Sequence, residues 1–234
     1  MTTESAPLTP DFNMPDSADA VLQKFRERDE KLYMTLAEAH VLSAALADAV
    51  VAAGIQPDKV IGVANGALMP ATLVAERLQL PVEMVRIRRK GSGIKRRLSR
   101  LPFLRELVTW LYRLPGTHQL LRFVMNRFNR LEEADAGSAT TEASVTTLLV
   151  VDDAIETGQT LKRILDIQQS QNPGARVVNA VISWSIGFRE KGQCAVNPDV
   201  YLSDRIHHYP WSQNSPAFAE YQTWLAERGL REWD

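Results

Sequence analysis

A single cysteine, Cys194, occurs in this chain of 234 residues. It excludes an intramolecular disulfide and a cysteine-rich metal centre. A cytoplasmic setting, where thiols stay reduced, is the natural expectation. No uninterrupted apolar run reaches the ~20 residues of a membrane-spanning helix. Neither sign of charge is in excess: 27 Lys and Arg against 28 Asp and Glu give a net charge of −1. The total therefore says nothing about partners. No Gly-x-Gly-x-x-Gly follows a strand, which argues against a dinucleotide fold, and no internal repeat is visible. Residues 1–16 lack a basic region followed by an apolar one, so a signal peptide is not expected. They are polar, with Pro7, Pro10 and Pro15, and read as a flexible tail. Hydrophobic content of 45% and charged content of 24% are ordinary for a globular protein. The length suits one α/β domain with an elaboration, so 17–234 is read as a single domain.

Ser17 to Tyr33 reads as a charged helix. Thr35-Leu36-Ala37-Glu38 is a capping box. The helix it opens carries Leu36, Ala39, Leu42, Leu46 and Val50 at helical spacing, and Gly54 closes it. Lys59 to Ala64 is a short β run, Asn65-Gly66-Ala67 a turn, and Leu68 to Leu78 a helix. Strands are expected at Val82–Ile87, Thr147–Val151 and Arg176–Trp184, with Val200-Tyr201-Leu202 at an edge. Helices are expected to about Gln169 and over Ala217–Glu227. Strands alternating with helices imply a mostly parallel sheet with helices on its faces.

The most informative stretch is Val150-Val151-Asp152-Asp153-Ala154-Ile155-Glu156-Thr157-Gly158-Gln159-Thr160. Two acids at the end of a buried strand are costly unless they bind something. Thr-Gly-x-Thr before a helix offers backbone N–H groups and hydroxyls to a phosphate. Acids followed by such a turn suit a sugar phosphate. A chance acidic pair on a surface loop would not require strand, acids, turn and helix in this order. The segment resembles the phosphoribosyl pyrophosphate signature of the type I phosphoribosyltransferases. The resemblance implies that Asp152 and Asp153 hold the ribose diol and orient Mg²⁺. It places Glu156 beside the acceptor as a catalytic carboxylate in the position of a general base. Ala154, Ile155, Thr157, Gly158, Gln159 and Thr160 line the 5′-phosphate site.

Val60 to Ala71 repeats the logic of strand, small-residue turn and helix, and resembles the family's pyrophosphate loop. Asn65, Gly66 and Ala67 would then face pyrophosphate, with Gly66 letting the backbone approach it. Asn65 stands where an Arg is common. The run Pro198-Asp199 to Ile206-His207-His208-Tyr209-Pro210-Trp211 resembles the C-terminal hood of the purine branch, xanthine-guanine enzymes included. Trp211 is kept as a substrate-side residue, whereas Ile206 occupies the place of the purine-stacking Trp. Ser183-Trp184-Ser185-Ile186 lacks the Lys that contacts the purine; the nearest cations are Arg189 and Lys191. His207 and His208 are adjacent on an extended segment and point apart, which favours surface histidines over a metal site.

Between these motifs lies a basic insertion, about 90–145. Arg86 to Arg130 holds about a dozen Arg and Lys and one acid, Glu106. Lys90-Gly91-Ser92-Gly93 is a joint. Two basic amphipathic helices follow: Pro102–Leu114, with Leu104, Leu107, Val108 and Leu111 on one face, and His118–Leu131, with Leu121, Val124, Phe128 and Leu131. Glu132 to Ser144 reads as an acidic linker. The insertion is a lid over the pyrophosphate, a contact to an anionic membrane surface, or a dock for a partner chain. Nucleic acid is least favoured, since no motif is present and few aromatics interleave the cations. A homo-oligomer stays open, as does a peripheral membrane location.

The resemblance implies an α/β, type I phosphoribosyltransferase-like sheet. It implies Mg²⁺-dependent transfer of ribosyl-5-phosphate from phosphoribosyl pyrophosphate to a nitrogenous, purine-like base, with release of pyrophosphate. The competing expectation is a non-catalytic regulator that binds phosphoribosyl pyrophosphate or a nucleotide; the missing base contacts favour it, and the retained acids favour the enzyme.

Overall fold

The computed structural model describes residues 17–27, 32–89, 131–135 and 145–233. The elements among these are α1 (Ala18–Glu27), α2 (Leu36–Ala52), β1 (Lys59–Val63), α3 (Leu68–Leu78), β2 (Val82–Arg89) and β3 (Leu131–Asp135). They continue as β4 (Thr147–Ile155), α4 (Gln159–Gln171), β5 (Arg176–Trp184), the single turn α5 (Ile186–Arg189), β6 (Val200–Ser203) and α6 (Phe218–Glu227). The chain divides into two compact units, Met1–Val85 with Gly137–Asp234, and Arg86–Ala136.

The first unit holds a sheet ordered β2-β1-β4-β5-β6 in which all neighbours run parallel. Leu148, Leu149, Val150 and Val151 are all buried, although successive residues point to opposite faces. Both faces of β4 are therefore covered, as a parallel sheet requires. Helix α2 packs on α3, α3 on β1, and α4 on β4 and β5. The α2 start follows from sequence: the Thr35 hydroxyl accepts the Glu38 N–H at 3.2 Å, and a Glu38 carboxylate oxygen accepts the Thr35 N–H at 2.9 Å. This capping box satisfies two donors the helix leaves unpaired. Leu36, Leu42, Leu46 and Val50 of α2 are buried, and Gly54 follows it at φ 71°. Among the described residues no helix is long and apolar enough to cross a membrane.

In the second unit the end of β2 pairs antiparallel with β3, setting Arg86 opposite Asp135 and Arg89 opposite Leu131. The expected acidic linker therefore begins with a strand that pairs with the end of β2. Helices proposed for Pro102–Leu114 and His118–Leu131 lie outside the described residues, apart from Leu131, the first residue of β3.

Strand β4 also runs further than expected, through Asp152 and Asp153 to Ile155. Its ladder with β5 continues past the acids, pairing Asp152 with Val181 and Ile155 with Trp184. Main-chain pairing holds the acids extended where composition alone suggested that the strand stops.

Candidate functional site

Strand order makes the site. From β1 the chain steps to β2 on one side, while β4 lies on the other side of β1. Such a reversal opens a crevice at the carboxyl ends of the two central strands. The turn Ala64–Ala67 follows β1 and the turn Glu156–Gly158 follows β4, so both emerge at this crevice.

The first turn meets the acid pair of β4 at Gly66. A methyl group built on its Cα would lie 2.6 Å from Asp153 Cγ and 2.9 Å from Asp153 Oδ1, and closer still to Oδ2. Only a residue without Cβ permits this approach. Ala67 donates its N–H to Val63 O at 3.0 Å, and Leu68 to Asn65 O at 3.2 Å. The turn thus bends directly into α3. The Ala64–Asn65 peptide is cis.

Asp152 and Asp153 are half-buried at the end of β4. Asp153 is held from two sides: Trp211 Nε1–H donates to Oδ2 at 2.7 Å and the Ala154 N–H to Oδ1 at 2.7 Å. Asp152 Oδ1 accepts the Asp153 N–H at 2.9 Å. Burial, and then the neighbouring Asp153 charge, push the Asp152 carboxyl well above the usual carboxylate range. Burial also raises Asp153, opposed by the Trp211 indole N–H. Two like charges taken out of water repel, so a cation or hydroxyl donors brought to the pair would satisfy it.

Trp211 and Tyr209 stack at a centroid distance of 4.9 Å and 11° between planes. Tyr209 Oη lies 3.2 Å from Ile206 O and 3.3 Å from Asp153 O. The Tyr-Pro-Trp run therefore reaches the site by gripping Asp153. Ile206 is fully buried in the core. His207 is exposed, while His208 packs its ring 4.9 Å from Tyr33.

The second turn is backed by the segment Cys194–Val196. The Ala195 N–H donates to Thr157 O at 2.9 Å and the Cys194 thiol to Glu156 O at 3.3 Å. Gly158 is the N-cap of α4, left-handed at φ 68°, with no side-chain cap. A Cβ there would also meet Val196 Cγ1 at 2.9 Å, so the position is closed to other residues by conformation and by space. The first-turn N–H groups of α4 stay clear of any capping side chain, the condition for anion binding. Glu156, Thr157 and Gln159 are exposed and Thr160 half-buried, with Ala154 and Ile155 completing the strand end beside them.

Sequence reasoning did not anticipate Trp233. The Asn65 Nδ2–H donates to Trp233 O at 2.9 Å, and the Trp233 N–H donates to Asn65 Oδ1 at 2.9 Å. These are main-chain groups 168 positions away, and no local pattern marks them. Tyr209 was visible only as part of the hood, and its grip on the Asp153 carbonyl was not. Beyond the end of β5, Arg189 lies over the Trp184 ring at 5.0 Å and pairs with Asp204 at 3.7 Å.

The sequence profile of the phosphoribosyl transferase domain matches residues 30–207. Among solved structures, the xanthine-guanine-hypoxanthine phosphoribosyltransferase of Helicobacter pylori superposes with a TM-score of 0.53 at 13% identity, covering 82% of this chain and 97% of that one. A hypothetical protein of Neisseria gonorrhoeae with bound ppGpp superposes with a TM-score of 0.51 at 17% identity, covering 85% and 96%. No curated protein sequence matches the chain. At these identities the likenesses establish the fold.

Proposed function

Because this chain belongs to the phosphoribosyl transferase family, we propose that it transfers ribosyl-5-phosphate from phosphoribosyl pyrophosphate to a nitrogenous, purine-like base. The bond from ribose C1 to pyrophosphate breaks, a bond from C1 to the base nitrogen forms, and the nitrogen's proton leaves. The observation that carries this reading is the seat of Gly66 on the Asp153 carboxylate, which joins a loop for pyrophosphate and an acid pair for a diol in one crevice. Asp152 and Asp153 accept the ribose hydroxyls. The N–H groups and hydroxyls of Thr157 to Thr160 hold the 5′-phosphate. Gly66 and Ala67 present backbone to pyrophosphate, and Glu156 stands toward the base, where it can take the departing proton.

The acid pair fits Mg²⁺. Burial raises both carboxyls, and the neighbouring Asp153 charge raises Asp152 further, the condition a divalent cation relieves. Among the described residues no group of three or more His, Cys, Asp or Glu could hold a metal alone. Magnesium commonly takes one or two carboxylates and completes its shell with water and substrate phosphates. Bound there, it would supply charge neutralisation to the leaving pyrophosphate. The site is proposed to act in the cytoplasm; salt-sensitive sedimentation of the protein with anionic vesicles would move it to a membrane surface instead.

The decisive experiment is calorimetric titration with phosphoribosyl pyrophosphate and Mg²⁺, followed by a pyrophosphate-release screen across bases. Binding with release for one base class is the expected result. A regulator that binds phosphoribosyl pyrophosphate or a nucleotide without catalysis is the second reading. It is favoured by the burial of Ile206, which leaves that position unable to stack on a base. The ppGpp bound to the Neisseria gonorrhoeae protein of the same fold makes a guanine nucleotide the first ligand to try under it. Glu156→Gln separates the two. It is expected to keep ligand affinity and to lower turnover by roughly 10²–10⁴-fold. Binding without release for any base leaves the regulator.

A further inference from the structure

The C-terminal segment is built into the loop that turns toward pyrophosphate. Helix α6 ends at Glu227, and Gly229 at φ 64° reverses the chain. The Leu230 N–H returns to Leu225 O at 2.9 Å. Behind this reversal, the Arg228 guanidinium lies over the Trp224 ring at 4.3 Å and faces Glu76 of α3 at 3.8 Å. Gln222 Nε2–H donates to Glu232 Oε2 at 3.1 Å. The chain so anchored places the Trp233 backbone against Asn65, where donor meets acceptor in both directions at 2.9 Å. A carboxamide paired in this way with the N–H and the C=O of one residue is fixed in both position and plane. It uses one N–H and the carbonyl oxygen of Asn65, the only polar side chain in the turn Ala64–Ala67.

We propose that Arg231–Trp233 is a strap that positions the pyrophosphate-binding turn, and that Asn65 is a positioning residue for it rather than a ligand contact. This rests on the functional reading above. The strap acts through Asn65 on the next residue, Gly66, whose bare Cα lies against the Asp153 carboxylate. Among the described residues its hydrogen bonds go to Asn65 and Gln222 and not to the phosphate turn after β4, so its influence is expected at the pyrophosphate end of the ligand.

That confinement gives the test. A chain ending at Leu230 keeps α6 and its reversal but lacks the strap. Its dissociation constant for phosphoribosyl pyrophosphate is expected to rise roughly tenfold, the scale of two net hydrogen bonds. Its constant for ribose 5-phosphate, which lacks pyrophosphate, is expected to stay unchanged. A general loss of structure would weaken both and would overturn the proposal. Asn65→Ala is expected to produce the same rise in the full chain and no further rise in the shortened one, because the two changes remove one interaction. Equal cost of Asn65→Ala in both backgrounds would make Asn65 a direct ligand contact and overturn the strap. If the intact chain binds neither sugar phosphate, the functional reading falls by itself. The strap is then judged by amide exchange: the Ala67 and Leu68 N–H groups exchange faster in the shortened chain if the strap orders the turn, and at the same rate if it does not.

Discussion

Gly66→Ala is expected to weaken binding of phosphoribosyl pyrophosphate by roughly 10–100-fold, the range of a lost charge-assisted hydrogen bond. The added methyl group falls 2.6 Å from Asp153 Cγ and 2.9 Å from Oδ1. No real Cβ tolerates that approach, so either the turn or the carboxylate must move. The carboxylate cannot move freely, because Trp211 and the Ala154 N–H hold its two oxygens at 2.7 Å each. Displacing it breaks one of these bonds; displacing the turn pulls Ala67 and Leu68 from the start of α3. Both responses also cost stability, about 1–3 kcal/mol as for overpacked interiors. Gly174→Ala is the control, since a Cβ there meets nothing within 4 Å. Calorimetry and thermal melts of both variants check the prediction. Affinity within twofold of wild type for Gly66→Ala would detach the turn after β1 from the acid pair.

The reach of sequence reasoning follows the range of the interactions concerned. The capping box at Thr35 and Glu38, the helix Leu68–Leu78 and the strand Arg176–Trp184 are each fixed by residues a few positions apart. So is the order of strand, acids, turn and helix around Asp152, because the left-handed Gly158 and the open first turn of α4 are local features. The end of β4 was not legible: its last residues are polar or small in pattern, and the ladder to β5 carries them. Strand β3 was hidden for the same reason, as Leu131–Asp135 has poor strand composition and depends on β2 for pairing. Within the site, the acids could be found but not their supports. The Trp211 indole reaches Asp153 from 58 positions away and Trp233 reaches Asn65 from 168. Side chains that position a functional group answer to the fold, and nothing in their neighbours announces the partner.

The acid pair yields the sharpest opposition between stability and binding. Asp152→Asn is expected to raise the melting temperature at pH 7 while weakening phosphoribosyl pyrophosphate binding. The sign follows from linkage. The folded Asp152 carboxyl titrates well above its usual range because of burial and then the Asp153 charge. A carboxyl raised on folding leaves stability undiminished below its unfolded value and reduces it as pH climbs through the folded one. Removing the charge therefore stabilises at neutral pH, and the gain shrinks toward pH ~4, where about half of the unfolded acid is protonated. An asparagine oxygen still accepts the Asp153 N–H that Oδ1 now accepts at 2.9 Å. A gain on the order of 1 kcal/mol moves the melting temperature by roughly 2–4 °C in a chain of this size. Asp153→Asn differs, because both its oxygens already accept N–H donors and an amide would turn a donor toward one of them. That variant is expected to lose stability at every pH. The double variant is expected to bind at least ~2 kcal/mol more weakly, the scale of charge-assisted hydrogen bonds to a diol. Melts between pH 4 and pH 8 and titrations at pH 7 measure both effects. A destabilised Asp152→Asn at pH 7 would mean that the carboxylate is compensated within the folded chain, and unchanged affinity in the double variant would remove the diol from Asp152 and Asp153.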